Sequence, residues 1–412
     1  MASICQHEST LAVLSGRFIS AYTPGKTRRS LYEVPVVKEK TEQDGNTEEE
    51  NQDKDSSGSG HILTGAFSPC GAYFAACDDN KQLVIWRTGD PWTQHSVRRL
   101  NRRCTCLVFT QDSNSILVGD KSGDIFSFSV TQPRQDGDLL LGHVSMLLDL
   151  TLVGGDKFVV TSDRDEKVRV TCYPNCHSIH TFCLGHTEFV SKLLYLKDQD
   201  VILSGSGDGT IRTWDYRTGH QMACRDCAKD LQLPEGEYAD VSCLTYSHLS
   251  HLLIVAFDRR KSLLTYKVAE TGSLDLHQRL ECNGVVWDVG VGQNETVWVL
   301  QNHAQQPLQV FSIEQTHQQL TSLMEERNDI RSVIDEINED WSFFKDSVDV
   351  ETIFLALHRA KIDNMKQYLE RKQKKIEEKN IKRKAKCPVL ASENSDVDNS
   401  AEEPKDKMMK TS

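Results

Sequence analysis

Two histidine–aspartate pairs in this chain share one spacing: His143 lies 22 residues before Asp165, and His186 lies 22 residues before Asp208. An imidazole beside a carboxylate is the pairing from which general-base and nucleophilic chemistry is built. The partners such chemistry needs are missing. The sequence has no Gly-x-Ser-x-Gly elbow, no Walker loop and no His-Glu-x-x-His run. Cys224 and Cys227 have the spacing of half a zinc site, and Cys172, Cys176 and His177 form a second small cluster. A tetrahedral site wants four ligands from two well-spaced pairs, so no metal is expected. The run Val201-Ile202-Leu203-Ser204-Gly205-Ser206-Gly207-Asp208-Gly209 is similar to the glycine loop with which methyltransferases hold S-adenosylmethionine. That loop wants an acidic residue where Leu203 stands and a helix after it, whereas Thr210 to Trp214 alternates like a strand. No catalytic residue and no cofactor are therefore expected in this chain.

The elements that carry these pairs repeat. The second pair ends in Ser206-Gly207-Asp208-Gly209-Thr210-Ile211-Arg212-Thr213-Trp214-Asp215, a Gly-His to Trp-Asp unit that resembles a WD repeat. Trp86, Phe128, Thr171 and Trp214 fall 42, 43 and 43 residues apart, close to the ~40–45 residues of a four-stranded propeller blade. Weaker echoes at Tyr32, Tyr266 and Phe311 bring the anchors to seven, which predicts seven blades. A blade cannot cover both of its faces alone, so Val168, Val170 and Ile211 must pack between neighbours. The WD-repeat resemblance implies a hydrogen-bond frame of turn aspartate, Gly-His histidine, strand hydroxyl and tryptophan. Asp208, His186, Ser204 and Trp214 match it, and His143 and Asp165 match in the preceding blade with Thr171 in place of the tryptophan. Such a frame is structural, because it gives buried polar groups their partners.

The fold class expected is all-β: a seven-bladed WD-repeat β-propeller over residues 1–315, followed by a basic C-terminal helix and a disordered tail. Residues 38–60, with Glu48-Glu49-Glu50, read as a disordered acidic loop, and 232–240 as a further loop insertion. Thirteen scattered cysteines fit reduced thiols of the cytosol or nucleus. No apolar run approaches the ~20 residues that span a bilayer, and Met1-Ala2-Ser3-Ile4-Cys5 opens no signal peptide, so neither a membrane nor secretion is expected.

Residues 316–349 read as a partly helical connection, 350–386 as one helix with Asp349 as its cap, and 387–412 as the tail. From Arg359 to Lys386 there are 12 Lys/Arg against 4 Asp/Glu, in a chain whose net charge is −12. Arg371, Lys372, Lys374, Lys375, Lys379, Lys382, Arg383, Lys384 and Lys386 form a candidate RNA-binding arm, since closely spaced cations displace counterions from phosphate. Few aromatics interleave with them, so contact to backbone rather than to bases is expected. Lys382 to Lys386 also reads as a nuclear localisation signal, which gives the nucleus, with the cytoplasm as a further location.

Four segments carry a closer resemblance: Asp120-Lys121-Ser122-Gly123-Asp124, Leu141 to Asp149, Ser162-Asp163-Arg164-Asp165-Glu166-Lys167-Val168-Arg169-Val170, and Phe182 to Ser191. They are similar to the family of non-catalytic WD-repeat subunits of the tRNA (guanine-N7-)-methyltransferase. The resemblance implies a heterodimer with a separate Rossmann-type catalytic subunit. That subunit binds S-adenosylmethionine and methylates N7 of a guanosine in the tRNA variable loop, while the propeller stabilises it and helps hold the tRNA. It also implies that Glu166, Lys167 and Arg169 belong to the subunit interface. Independently of the family, Arg164-Asp165-Glu166-Lys167 replaces ordinary turn residues with a dense charge cluster, and strand alternation sets Lys167 and Arg169 opposite Val168 and Val170. Asp165 is also assigned to the turn frame. A second resemblance lies in Trp214-Asp215-Tyr216-Arg217, similar to the box by which some WD-repeat proteins dock onto the adaptor of a cullin-type ubiquitin ligase as substrate receptors.

Overall fold

The computed structural model describes residues 1–22, 29–35, 58–234, 236–292, 294–314, 317–322, 328–348, 350–358, 368–369 and 371–379. The acidic segment before Gly58 and the tail 387–412 lie outside them. Strands of three to eight residues, with the second strand of each sheet largely buried, assemble into seven four-stranded antiparallel sheets. The sheets span Ser3–Glu33, Ile62–Arg99, Cys104–Gly142, Leu147–Cys183, Val190–Asp226, Val241–Glu281 and Val285–Ser322, and we number them as blades 1 to 7. The molecule is a seven-bladed β-propeller.

One register holds throughout. The second residue of each second strand faces Tyr22, Trp86, Phe128, Thr171, Trp214, Tyr266 or Phe311 on the third strand. This corrects one anchor. Tyr32 belongs to the fourth strand of blade 1, Ser30–Glu33, and the third-strand residue is Tyr22. Tyr32 instead stacks on Trp92 at 4.9 Å and accepts a hydrogen bond from its backbone N–H at 2.9 Å. Short alternating strands on either side of the first insertion offered two equally apolar choices.

The first strands of successive blades adjoin one another in a closed cycle, with Ser3–His7 beside Val285–Val291. They line the axis. Two aspartates on them tie neighbours together: Asp149 Oδ2 accepts from Leu193 N of blade 5 at 2.8 Å, and Asp288 Oδ2 accepts from Ile4 N of blade 1 at 2.8 Å. Burial raises both carboxyl pKa values, and Lys192, on the first strand of blade 5, opposes that rise in each.

Each sheet is built from four consecutive strands, so blade 7 meets blade 1 face to face without interleaving the chain ends. The chain beyond blade 7 closes this seam. In helix Asn328–Glu339, Ile330, Val333, Ile334 and Ile337 recur at the spacing of one helical face. A 3-10 turn follows at Trp341–Phe344, capped by Asp340, and then a short helix at Lys345–Val348. Ile334, Ile337 and Phe344 pack into one cluster with Ala2, Ile4, Leu11, Val13 and Tyr22 of blade 1 and Trp287, Trp298, Leu300, Leu308 and Val310 of blade 7. Each of the three stabilises the seam by about 2 kcal/mol. Polar ties reinforce it: Arg29 pairs with Asp340, Leu308 N donates to Asn338 Oδ1 at 2.9 Å, and Ser347 Oγ meets Ser15 Oγ at 2.9 Å.

The single helix expected over 350–386 is interrupted. Residues 350–353 are not helical, Phe354–Leu357 makes one turn, and His358 leaves it with ψ 137°. His358 is held by the propeller, which draws the backbone out of helical geometry. Residues 371–379 are helical and exposed, and belong to a unit separate from Met1–Arg359. Asp349, the expected cap, lies outside the described residues.

Candidate partner-binding face

The turns between second and third strands and the links between blades all emerge on one face. In blade 5 this face carries a closed polar frame. Trp214 Nε1 donates to Ser204 Oγ at 2.8 Å, Ser204 Oγ lies 2.7 Å from His186 Nε2, and His186 Nδ1 lies 2.9 Å from Asp208 Oδ2. One histidine tautomer satisfies the whole relay: the serine donates to Nε2, and Nδ1–H donates to the carboxylate. Asp208 also accepts from Thr187 N at 3.0 Å and Thr210 N at 2.9 Å. Although burial opposes it, the bond from His186 holds this carboxyl far below the usual carboxylate range. Burial in turn lowers the pKa of His186. Every group is occupied, and the frame has no open position for a substrate.

Blade 4 departs from this pattern. His143 Nε2 lies 2.8 Å from Thr161 Oγ1, and Nδ1 lies 3.3 Å from Asp163 Oδ2. Asp165 is therefore not the histidine's partner; Asp163 is. Asp163 ends its second strand, as Asp78 and Asp120 do in blades 2 and 3, and all three are buried. From that place Asp163 Oδ1 accepts the turn amides of Asp165 at 2.9 Å and Lys167 at 3.1 Å. Asp78 holds Gln82 N, and Asp120 holds Ser122 N and Asp124 N, in the same way. A buried carboxylate thus fixes the backbone of the turn, which sets the directions of the side chains at its tip.

At that tip Arg164 and Lys167 are exposed, and Asp165 and Glu166 are half-buried. Lys167 Nζ reaches the Asp165 carbonyl at 3.3 Å. Glu166 has φ +69°, where the matching turns have Lys81 at +63°, Gly123 at +102° and Gly209 at +75°. The left-handed conformation costs a side-chain-bearing residue about 1 kcal/mol. Blades 3 and 5 avoid that cost with glycine.

Arg169 is not a surface cation. It is 9% exposed and donates to the Gly142 carbonyl of blade 3 at 3.1 Å, and burial lowers its pKa. Alternation correctly set it opposite Val168 and Val170. In a propeller, however, both faces of a blade are covered by neighbours. Sequence reasoning also passed over Val144 and Leu184, apolar residues in the links on either side of blade 4 that are respectively fully and 63% exposed. Each follows or precedes a Gly-His pair, which drew attention to the histidine instead.

Arg371, Lys372, Lys374, Lys375 and Lys379 lie on the exposed 371–379 helix. Lys382, Arg383, Lys384 and Lys386 lie outside the described residues. Arg217 pairs with Asp200 and sits 4.7 Å from the Tyr216 ring centroid, while Asp200 also accepts from Tyr195 and Tyr216 hydroxyls at 2.6 and 2.8 Å. The glycine loop after Ser206 joins two antiparallel strands, Val201–Ser206 and Thr210–Asp215, rather than a strand to a helix. Among the described residues no three His, Cys, Asp or Glu side chains converge as metal ligands. Cys227 is buried and Cys224 exposed.

The family model described as the tRNA methyltransferase TRM82 WD40 domain matches residues 21–137 and 129–326, which include blade 4 and its turn. The tRNA (guanine-N(7)-)-methyltransferase non-catalytic subunit of Xenopus laevis is 39% identical over 345 residues, covering 82% of this chain and 86% of that protein. Its Homo sapiens namesake is 36% identical over 379 residues, covering 88% of each chain. The chain belongs to this family of non-catalytic tRNA methyltransferase subunits. A likeness to a chain of the crystal structure of the mitotic checkpoint complex, with TM-score 0.59 and 14% identity over 73% of this chain and 87% of that one, reflects the fold alone. Membership in the family agrees with a polar frame in blade 5 that is saturated by its own members.

Proposed function

We propose that this subunit binds and stabilises a separate catalytic tRNA (guanine-N7-)-methyltransferase chain through the turn of blade 4. The catalytic chain holds S-adenosylmethionine and methylates a variable-loop guanosine, and the basic segment 371–386 of this subunit grips tRNA phosphate. The observation that carries the reading is the turn itself: Asp163 holds its amides, while Arg164 and Lys167 project from a backbone that is already fixed. Charges of both signs on a rigid turn select register and speed encounter. Val144 and Leu184 add apolar area on either side of them. Arg169, buried beside the turn, ties blade 4 to the Gly142 carbonyl of blade 3. The complex works in the nucleus, to which the cluster from Lys382 to Lys386 directs it.

Coexpression with the catalytic chain tests this. The expected result is a stable heterodimer that methylates tRNA at guanine N7. Deleting residues 371–386 should weaken tRNA binding and flatten its salt dependence without affecting the heterodimer. Failure of two folded chains to associate would overturn the reading.

A further inference from the structure

Between blades 5 and 6, on the face that bears the blade 4 turn, three carboxylates surround a notch: Glu188, Asp240 and Asp258. The chain beyond the seam enters it. Thr352 Oγ1 donates to Asp258 Oδ2 at 2.9 Å, and His358 Nε2 lies 2.9 Å from Asp240 Oδ1. Glu188 Oε2 lies 3.7 Å from His358 Nδ1. The imidazole stacks on Tyr238 with centroids 4.0 Å apart, and Phe189 meets it edge-on at 5.1 Å. His358 is 8% exposed at its side chain, and Leu357 beside it is buried.

This contact adds little to the core. Ile353 and Leu355 are exposed, and a single turn from Phe354 to Leu357 is far too short to persist alone. Its consequence lies in where the following chain begins. Without the His358 seat the last fixed point is Thr352 on Asp258, six residues earlier. With it the chain departs from the boundary of blades 5 and 6, where Glu188 sits two residues from His186.

We propose that His358 is a positioning residue for tRNA. Its seat among Tyr238, Asp240 and Glu188 fixes the point from which the basic segment leaves the propeller, and so sets the effective concentration of that segment at tRNA held by the heterodimer. The inference rests on the proposed role of 371–386 in gripping tRNA.

The test uses the full heterodimer and a tRNA transcript. His358→Ala and Tyr238→Ala, which undo the seat from opposite sides, should each raise KM for tRNA about threefold while kcat, heterodimer affinity and melting temperature hold. The slope of log affinity against log salt should stay at its original value, because the cations are all still present. His358→Gln, whose amide can occupy the place of Nε2, should restore KM. An unchanged KM in both alanine variants, with the 371–386 deletion still weakening binding, overturns the positioning role and leaves the grip intact. A fall in melting temperature or heterodimer affinity that accounts for the KM change makes His358 merely structural and also overturns it. If the deletion itself has no effect, grip and positioning fall together.

Discussion

In blade 5 the aspartate that receives the histidine sits at the third position of the turn, at Asp208; in blade 4 it sits two residues earlier, at Asp163. The backbones match, down to the left-handed residue at the fourth position. The shift changes what the tip can do. In blade 5 the turn aspartate is consumed by His186, Thr187 and Thr210, and glycines flank it. In blade 4 the strand-end carboxylate takes over the holding, so Arg164 to Lys167 can carry charge at the surface. Relocating one hydrogen-bond acceptor thus frees the tip of a turn to carry charge while its histidine keeps a hydroxyl and a carboxylate as partners.

The comparison is broken most forcefully at the blade 5 frame. Trp214→Ala should cost about 3–5 kcal/mol of stability, read as a drop in the urea midpoint. The loss leaves a cavity and a hydroxyl without its donor. Arg164→Glu with Lys167→Glu should do the reverse, changing stability by under ~0.5 kcal/mol while weakening the heterodimer about 10–100-fold in calorimetry. A large stability loss there would mean the blade 4 tip also belongs to the frame.

The next effect is acid-dependent. The folded pKa of Asp208 is depressed, so its stabilisation is complete above the unfolded value, near pH 4, and is lost as pH falls toward the folded value. Asp208→Asn should therefore cost about 1–2 kcal/mol at neutral pH, and its urea midpoint should converge on that of the unaltered protein below about pH 4. A gap that stayed constant with pH would show that the charge contributes nothing. The smallest expected change is Glu166→Gly, which relieves the left-handed strain and should raise stability by about 0.5–1 kcal/mol. Heterodimer affinity should fall a few-fold with it, separating display from stability within one residue.

Much of the architecture could be read in the chain because bulky third-strand anchors recur wherever two blades meet. The turn chemistry was harder. Asp163 and Asp165 differ by one strand alternation, and spacing from His143 does not say which carboxylate faces the ring. Arg169 shows a second limit: alternation gives the side of a strand but not what covers that side. The seam residues Ile330, Val333, Ile334 and Ile337 announce a helical face, yet nothing local names blades 7 and 1 as what it covers. The charge of the 371–379 helix was plain in composition, whereas the break at His358 depends on Asp240, 118 positions earlier.

The seam also dictates an order of events during synthesis. Blades 1 to 7 emerge from the ribosome in sequence, but Ile337 and Phe344 follow all of them and complete the contact between the first blade and the last. At ~5–20 residues per second, blade 1 waits many seconds for its final neighbour, with Ala2, Ile4 and Val13 at an unfinished edge. A chain that stops after blade 7 would contain every repeat and the strand contact between blades 7 and 1, yet would leave that seam without the cover of Ile334, Ile337 and Phe344. Quality control of this subunit can thus be sensitive to truncations that remove no blade at all.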